Sequence, residues 1–260
     1  MWCIARPSDG HVTLLDVTSA TDLEIAEQSA ALARGCRRLH GTGLLAGTEG
    51  NCSVRLRDGT LLVTASGVDK ATIGPHQIVH RHADGSAYAT PNGVTDHASF
   101  SDSPWRPSSE LEMHLGIYRV RPDVMAVVHA HPPVATGFAT AGRTIPANVL
   151  PEIPVVVGPV ALVPYARPGT LALSEAMGPF VADCEVFLLA NHGVTTVGRS
   201  LTDALTRLES VEQAARILLV AERLGGPRAL PAGEAEALAA LWPQPNAPAH
   251  SGQLSTDVLS

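Results

Sequence analysis

The sequence lacks the features that mark several common classes of protein. Its net charge is −7 and it contains no basic patch, so nucleic acid is not an expected partner. No apolar run approaches the length of a membrane span, and residues 1–10 hold no apolar segment of a signal peptide. The four cysteines show no CxxC spacing, which is typical of buried free thiols in a reducing compartment. These absences predict a cytoplasmic protein that binds neither nucleic acid nor a membrane.

Motifs for nucleotide cofactors are also absent, since the chain has no Walker loop and no GxGxxG segment. Aromatic residues make up only 4% of the 260 residues, but hydrophobic residues make up 45%, which is enough for one large domain. No repeat or clear linker divides the chain. We therefore predict one α/β domain over residues 21–229, a lead-in at 1–20 and a tail at 230–260 that begins with a short helix. Residues 91–106 show no periodicity and predict a surface loop.

The spacing of apolar residues predicts alternating helices and strands. Helices are expected at 21–40, 110–120, 134–142, 170–182 and 200–224. Strands are expected at 52–57, 60–65, 77–82, 124–131, 153–157, 160–163, 185–190 and 194–197. Asp58-Gly59 predicts a tight hairpin, which would bring Asn51 and Ser66-Gly67 to the same end of two paired strands.

Two histidines follow directly after five apolar residues, in the stretch His129-Ala130-His131. Residues i and i+2 of a strand point to the same face, so both imidazoles would project together from the end of a buried strand. Two neutral imidazoles in this arrangement favour a metal, most naturally zinc. His192 ends a second apolar strand, and Glu110 lies on the helix that precedes the first one. At each position a packed, hydrogen-bonded residue is the alternative.

A second pair with the same spacing serves as a contrast. His80-Arg81-His82 adjoins a polar turn and has an arginine between its histidines. We expect this pair to be exposed to solvent and not to bind metal. His114 lies four residues after Glu110 and therefore shares its helix face. We expect it to be packed or to support the metal site, with direct ligation as the alternative.

Small polar residues lie at predicted strand and helix ends. Ser108-Ser109 is expected at a helix N-terminus, with Ser109 as the cap and Glu110 as the first helical residue. Backbone N–H groups, hydroxyls and the positive end of the helix dipole meet there, which suits a phosphate. Gly50-Asn51 and Ser66-Gly67 offer similar groups. Ordinary caps and turns are the alternative for each of them.

These motifs, in this order, resemble the class II aldolase/adducin family and its L-fuculose-1-phosphate aldolase-like branch over residues 21–225. They are Gly50-Asn51-Cys52-Ser53, Thr64-Ala65-Ser66-Gly67, Pro107-Ser108-Ser109-Glu110, His129-Ala130-His131-Pro132 and Asn191-His192-Gly193. The resemblance implies a three-layer α/β/α fold with a central, mostly antiparallel sheet. It also implies a homotetramer with active sites near the subunit interfaces.

The resemblance further implies roles for individual residues. His129, His131 and His192 would bind Zn²⁺, with Mn²⁺, Co²⁺ or Fe²⁺ as alternatives. Glu110 would be the catalytic acid/base and would also coordinate the metal when substrate is absent. The phosphate pocket of the family corresponds to residues Asn51, Ser66, Gly67, Ser108 and Ser109.

The implied reaction is cleavage of a ketose 1-phosphate to dihydroxyacetone phosphate and an aldehyde through a metal-stabilised enediolate. A sugar-phosphate dehydratase, decarboxylase or 4-epimerase, a metal-dependent oxygenase and a non-enzymatic adducin-like module are the alternatives. One departure concerns the aldehyde half of the substrate, because Leu150 stands about where the family aldolase has a catalytic tyrosine. Glu152 is a candidate to supply the proton instead, with a surface or structural glutamate as the alternative. Tyr165, the other nearby phenol, is expected to be structural.

Overall fold

The computed structural model describes residues 20–88 and 104–240. The predicted lead-in, except for Ala20, lies outside these ranges. So do most of the predicted loop at 91–106 and the tail beyond residue 240. The predicted domain limits, 21–229, stay a prediction.

Within the described residues, seven strands form one mixed sheet. They are β1 (Asn51–Arg55), β2 (Leu61–Thr64), β3 (Ile78–Arg81), β4 (Ala126–Ala130), β5 (Val160–Val163), β6 (Val186–Leu189) and β7 (Gly193–Gly198). Their order across the sheet is β3-β2-β1-β4-β7-β6-β5. Every neighbouring pair is antiparallel except β5 and β6. The predicted sheet, central and mostly antiparallel, is therefore confirmed.

Six α-helices occur in the described residues, and they cover both faces of the sheet. They are α1 (Ala20–Gly41), α2 (Leu111–Val120), α3 (Pro133–Thr140), α4 (Leu171–Val181), α5 (Leu201–Arg223) and α6 (Glu234–Ala239). No helix of the described residues is both long and apolar enough to cross a membrane.

Alternation along the strands divides the hydrophobic core into two layers. Val128 belongs to the layer that α1, α3 and α5 cover, whereas its neighbour Val127 belongs to the layer that α2 and α4 cover. Both valines are fully buried because β4 lies at the centre of the sheet. The fold is thus a sheet between two layers of helices, as predicted.

One predicted strand is wrong. Residues Ile153–Val157 form a single turn of π-helix, in which the N–H of Gly158 donates to the carbonyl of Ile153 at 2.8 Å. Pro154 has no N–H to contribute to a strand ladder, so a central strand is unfavourable here despite the β-branched residues around it. Gly158 then turns the chain with a φ of 78° into β5.

The start of α2 differs from the prediction by one residue. Glu110 is the residue before the first helical residue, and Ser109 does not cap the helix. The hydroxyl of Ser108 instead accepts the N–H of Glu110 at 3.2 Å. This arrangement leaves the Glu110 carboxylate free to turn towards the histidines.

Candidate metal centre

Strand pairing explains why residues far apart in the sequence converge at one edge of the sheet. Asn51 pairs with His129 across β1 and β4, and His129 pairs with Thr195 across β4 and β7. Because both neighbours run antiparallel to β4, the end of β4 meets the starts of β1 and β7. His192 directly precedes β7 and so arrives at the same edge.

The three predicted histidine ligands form a cluster there. One possible ligand atom from each of His129, His131 and His192 lies within 4.8 Å of the other two. The Nε2 atoms of His129 and His131 are 3.3 Å apart. Glu110 joins the cluster from α2, with Oε2 at 3.2 Å from His129 Nε2 and Oε1 at 3.2 Å from His192 Nε2. Three imidazoles and a carboxylate are a donor set that zinc accepts.

Hydrogen bonds behind the rings decide which nitrogen of two of these histidines can bind a metal. His129 Nδ1 lies 3.1 Å from the carbonyl oxygen of Val194, which can only accept, so Nδ1 carries the proton. His131 Nδ1 lies 3.1 Å from a carboxylate oxygen of Glu49, with the same consequence. Their Nε2 lone pairs therefore face each other across 3.3 Å, where a cation would remove the repulsion. Burial lowers the pKa of His129 to about 3, so this ring is neutral and available as a ligand.

The Glu110 carboxylate is ionised in this setting. Burial raises its pKa, but the contacts with His192 and His129 and the hydrogen bond from Asn51 outweigh burial and hold the pKa well below its usual range. Glu110 Oε1 and His192 Nδ1 are buried and make no hydrogen bond within the described chain. A buried anionic oxygen without a hydrogen bond is costly, and a divalent cation at this position satisfies it. The residues present therefore fit a metal ion.

Two glycines allow the chain segments to approach this closely. A Cβ on Gly193 would lie 2.5 Å from His131 Cδ2 and 2.7 Å from the carbonyl oxygen of Ala130. A Cβ on Gly50 would lie 2.6 Å from the carbonyl oxygen of His129. Larger residues at these positions would displace the histidines.

A chain of hydrogen bonds leads from Glu110 into the core. Asn51 Nδ2 donates to Glu110 Oε2 at 2.8 Å, and Asn51 Oδ1 accepts from His114 Nε2 at 2.5 Å. His114 Nδ1 then lies 2.7 Å from Ser53 Oγ, which is 2.8 Å from the hydroxyl of Tyr118. His114 is thus buried behind Glu110 and supports it through Asn51, outside the histidine cluster.

A cavity of about 450 Å³ opens beside the cluster. Its lining includes Glu110, His131 and His192 together with the predicted phosphate residues Asn51, Ser66, Gly67, Ser108 and Ser109. The structure thus brings all five predicted phosphate residues to the same space as the candidate metal ligands.

Other predicted residues do not reach this cavity within one chain. Glu152 is exposed and does not line it. Leu150 packs partly buried against the hydrophobic core. Tyr165 is 62% exposed and does not line the cavity either.

The expectation for His80 is wrong, because its side chain is only 2% exposed. His80 Nε2 lies 2.8 Å from Thr60 Oγ1, and Tyr88 stacks on the ring with centroids 3.9 Å apart. After the turn at 83–85, the chain runs back along β3 and brings Tyr88 over the His80 ring. His80 is therefore buried although polar residues follow it in the sequence. His82 is exposed, as expected.

Sequence reasoning missed two residues at this site. Glu49 contacts His131, and no local pattern marks it. Lys70 lines the cavity and is buried. Composition could have found it, because Lys70 is the only lysine of the chain.

Comparison with known proteins places this geometry in a family. Residues 30–219 match the family model described as Class II Aldolase and Adducin N-terminal domain. The chain belongs to the class II aldolase and adducin family. Class II aldolases use a divalent metal, and the histidine cluster of this member can hold one.

Several relatives of this class II aldolase family member are similar over most of their length. The chain is 34% identical to 3-oxo-tetronate 4-phosphate decarboxylase of Escherichia coli (strain K12) over 182 residues, which cover 68% of this chain and 79% of that protein. It is 33% identical to 5-deoxy-D-ribulose 1-phosphate aldolase of Bacillus thuringiensis serovar kurstaki over 205 residues, which cover 78% of this chain and 89% of that protein. A solved structure of L-fuculose 1-phosphate aldolase matches with a TM-score of 0.73 at 31% identity, over 83% of this chain and 95% of that one. The predicted family and fold are thereby confirmed.

Proposed function

We propose that this protein is a zinc-dependent aldolase that cleaves a ketose 1-phosphate to dihydroxyacetone phosphate and an aldehyde. The observation that supports this most is the convergence of three histidines and Glu110 beside a cavity lined by the predicted phosphate residues. The phosphorylated substrates in the names of its relatives agree with such a cavity.

His129, His131 and His192 would hold the metal through imidazole nitrogens. When bound, a divalent cation supplies a Lewis acid that stabilises the negative charge on the oxygens of the enediolate. Glu110 borders both the histidines and the cavity, so its carboxylate can take a proton from the reacting carbon or return one to it. Asn51 keeps that carboxylate in place by donating to Oε2.

The small polar residues would fix the substrate by its phosphate. Ser108 and Ser109 precede α2, and Ser66-Gly67 follows β2. The two segments are neighbours, because the N–H of Ser108 donates to the carbonyl of Thr64 at 3.1 Å. Holding the phosphate at one end of the cavity sets the distance of the carbonyl carbon from Glu110.

The test is product formation from a panel of ketose 1-phosphates with the metal-loaded protein. We expect release of dihydroxyacetone phosphate, detected by coupled reduction, together with an aldehyde. Glu110→Gln keeps the shape of the side chain and should lower the rate by about 100-fold or more, because proton transfer is lost. Dihydroxyacetone phosphate release at an unchanged rate in this variant would refute the role of Glu110.

A decarboxylase of a 3-oxo sugar-acid phosphate is the second candidate. Within the described residues, neither a tyrosine nor Glu152 lines the cavity, so neither acid expected for the aldehyde half of the substrate is present there. Loss of carbon dioxide from a 3-oxo-tetronate 4-phosphate leaves the same three-carbon enediolate but needs no such acid. The relative at 34% identity carries this activity in its name. Carbon dioxide release without aldehyde formation would favour this candidate over the aldolase.

We also infer a homotetramer, as the family resemblance implies, with sites near subunit interfaces. Val120 and Leu171 are about half exposed on α2 and α4, which suits burial against another subunit. Glu152 would then act only from a neighbouring subunit, because it does not reach the cavity of its own chain. Sedimentation velocity tests the assembly. A kcat unchanged by Glu152→Gln would remove Glu152 from the mechanism.

A further inference from the structure

The single lysine of this chain lines the cavity beside the histidine cluster. All other basic side chains among the 18 lysines and arginines are arginines. Lys70 follows the Ser66-Gly67 turn by three residues and lines the cavity, yet it is only 1% exposed. A buried lysine is uncommon, because removal of an ammonium group from water is costly.

The ammonium group of Lys70 is held by neutral groups. Nζ donates to the carbonyl oxygens of Val68 at 2.9 Å and Thr48 at 3.1 Å. Within the described residues, no carboxylate oxygen lies within 4.0 Å of Nζ. The carboxylate of Asp69 accepts the N–H of Ala71 at 2.9 Å instead.

Within the described residues, therefore, no carboxylate forms an ion pair with Lys70. Its ionisable neighbours are the thiols of Cys36 and Cys52 and the Asp69 carboxyl, and burial lowers the pKa of Lys70 in spite of them. Two carbonyl dipoles stabilise an ammonium group but carry no net charge. One positive charge thus lies under the wall of a cavity that also contains the small polar residues predicted to bind phosphate, close to Ser66-Gly67 in the sequence.

We propose that Lys70 is the cation that pairs with the phosphate of the substrate in this cavity. The inference rests on the proposed function, because the phosphate comes from there. A protein with a net charge of −7 needs a local positive charge to attract a phosphate, and Lys70 supplies it. The compact ammonium group fits between two carbonyl oxygens where the planar fork of arginine would not.

A purely structural role is the competing explanation. The backbone N–H of Lys70 donates to the carbonyl of Gly47 at 2.8 Å, and Nζ reaches Thr48. Lys70 thus joins the loop at 46–50 to the loop at 65–70, and both loops line the cavity. Joining the two loops needs hydrogen-bond donors but no positive charge. Substitutions can therefore separate this structural role, called the clamp below, from the role of the charge.

Selective labelling of the wild-type protein tests the pairing directly. With lysine ¹³C-labelled at Cε, the spectrum of the full chain contains one lysine signal, that of Lys70. Addition of inorganic phosphate should shift this signal saturably and raise the pKa of Lys70, whereas sodium chloride at equal ionic strength should not. A signal that stays unchanged while calorimetry detects bound phosphate, or an absence of phosphate binding, would overturn the inference.

Substitution separates the charge from the clamp. Lys70→Gln keeps N–H donors, and Lys70→Met keeps only the shape. Both should weaken binding of inorganic phosphate by about tenfold or more while the content of bound metal stays the same. Arg57→Met removes one positive charge at the far end of β1, where Arg57 is exposed, and is the matched control. It should leave phosphate binding unchanged.

The outcomes distinguish this inference from the proposed reaction. Unchanged phosphate affinity in Lys70→Gln and Lys70→Met, with normal dihydroxyacetone phosphate release in the wild type, would overturn the inference alone. Weakened phosphate binding in both variants, with no carbon–carbon cleavage by the wild type, would support the inference and overturn the reaction. If neither variant folds, the labelled wild type decides.

Discussion

Two pairs of histidines share the same spacing in the same sheet but have different surroundings. In the β4 pair, His129 and His131 direct their Nε2 atoms to a common point, and each Nδ1 atom is held by an acceptor. In the β3 pair, His80 uses Nε2 to contact Thr60, and His82 lies beyond the strand end. The spacing places two rings on one face, but neighbouring residues decide whether their lone pairs are free.

The position of each strand explains this difference. β4 lies at the centre of the sheet, so β1 and β7 bring residues to it from both sides. β3 lies at the edge, where β2 is the partner and Tyr88 covers His80. Burial itself does not separate the pairs, since it lowers the pKa of His80 to about 4 and of His129 to about 3. In this sheet, the candidate metal site forms at a central strand, where residues of both neighbouring strands converge.

The largest expected effect is the loss of bound metal. The double variant His129→Ala/His131→Ala should lose the metal that the wild-type protein holds, because two of its ligands are gone. The matched variant His80→Ala/His82→Ala should retain it. Elemental analysis of the three purified proteins measures this. Equal metal loss in both variants would show that the two pairs do not differ as described.

Gly193→Ala should weaken metal binding on the order of 100-fold without removing any ligand, because the new Cβ would push His131 away. Competition with a chromogenic chelator gives the metal affinity. Gly137→Ala, in α3, is the control, since a Cβ there meets nothing within 4 Å. If Gly193→Ala bound metal as tightly as the wild type, the backbone would have to shift and accommodate the new Cβ without displacing His131.

His80 should make stability depend on pH without any effect on metal. The unfolded chain protonates this ring near pH 6.5, while the native ring stays neutral down to about pH 4. The unfolded state thus binds more protons in this window, and the free energy of unfolding falls as pH decreases through it, by about 3 kcal/mol for this group. Urea unfolding at several pH values between 4 and 7 gives the free energy of unfolding at each pH. This free energy should depend less steeply on pH in His80→Gln than in the wild type. The control His82→Gln changes the exposed member of the pair. An equally weakened pH dependence of stability in this control would contradict the assignment of the effect to His80.

The smallest effect is expected for Glu49, which holds His131 from an exposed position. Glu49→Gln keeps an acceptor oxygen but removes the charge, so metal affinity should fall by less than about tenfold. Calorimetric titration of the metal-free protein measures it. A loss as large as that of Gly193→Ala would mean that Glu49 does more than orient the ring.

Much of the fold could be predicted because its signals are local. The limits of α5 follow from capping rules. Ser200 caps its start, because the Ser200 hydroxyl accepts the N–H of Asp203, and the helix ends at Arg223, shortly before two glycines. The strand predicted at 153–157 was wrong because Pro154 outweighs the β-branched residues around it. Burial of His80 depends on Tyr88, which packs on its ring. The spacing of apolar residues along β3 does not show that a side chain from another segment covers this strand.

The candidate site was only partly predictable for a similar reason. His129 and His131 share a face by strand geometry alone, so their pairing is a local inference. Their contact with His192 and Glu110 depends on strand order, which spacing does not reveal. The family resemblance, and not the spacing, grouped these residues in one site. Glu49 reaches His131 across 82 positions of sequence, and no pattern marks such a contact.

The alternation along β4 has a consequence for how the sheet assembles. Ala130, between the two histidines, faces the opposite hydrophobic layer. A slip of one residue against β1 or β7 would place Ala130 at the ligand position and press both imidazoles among aliphatic side chains. Only the correct register gives a metal its ligands, so an ion that binds the native state stabilises that register against its nearest competitors. A metal bound at this site would thus stabilise the correct pairing of the three central strands.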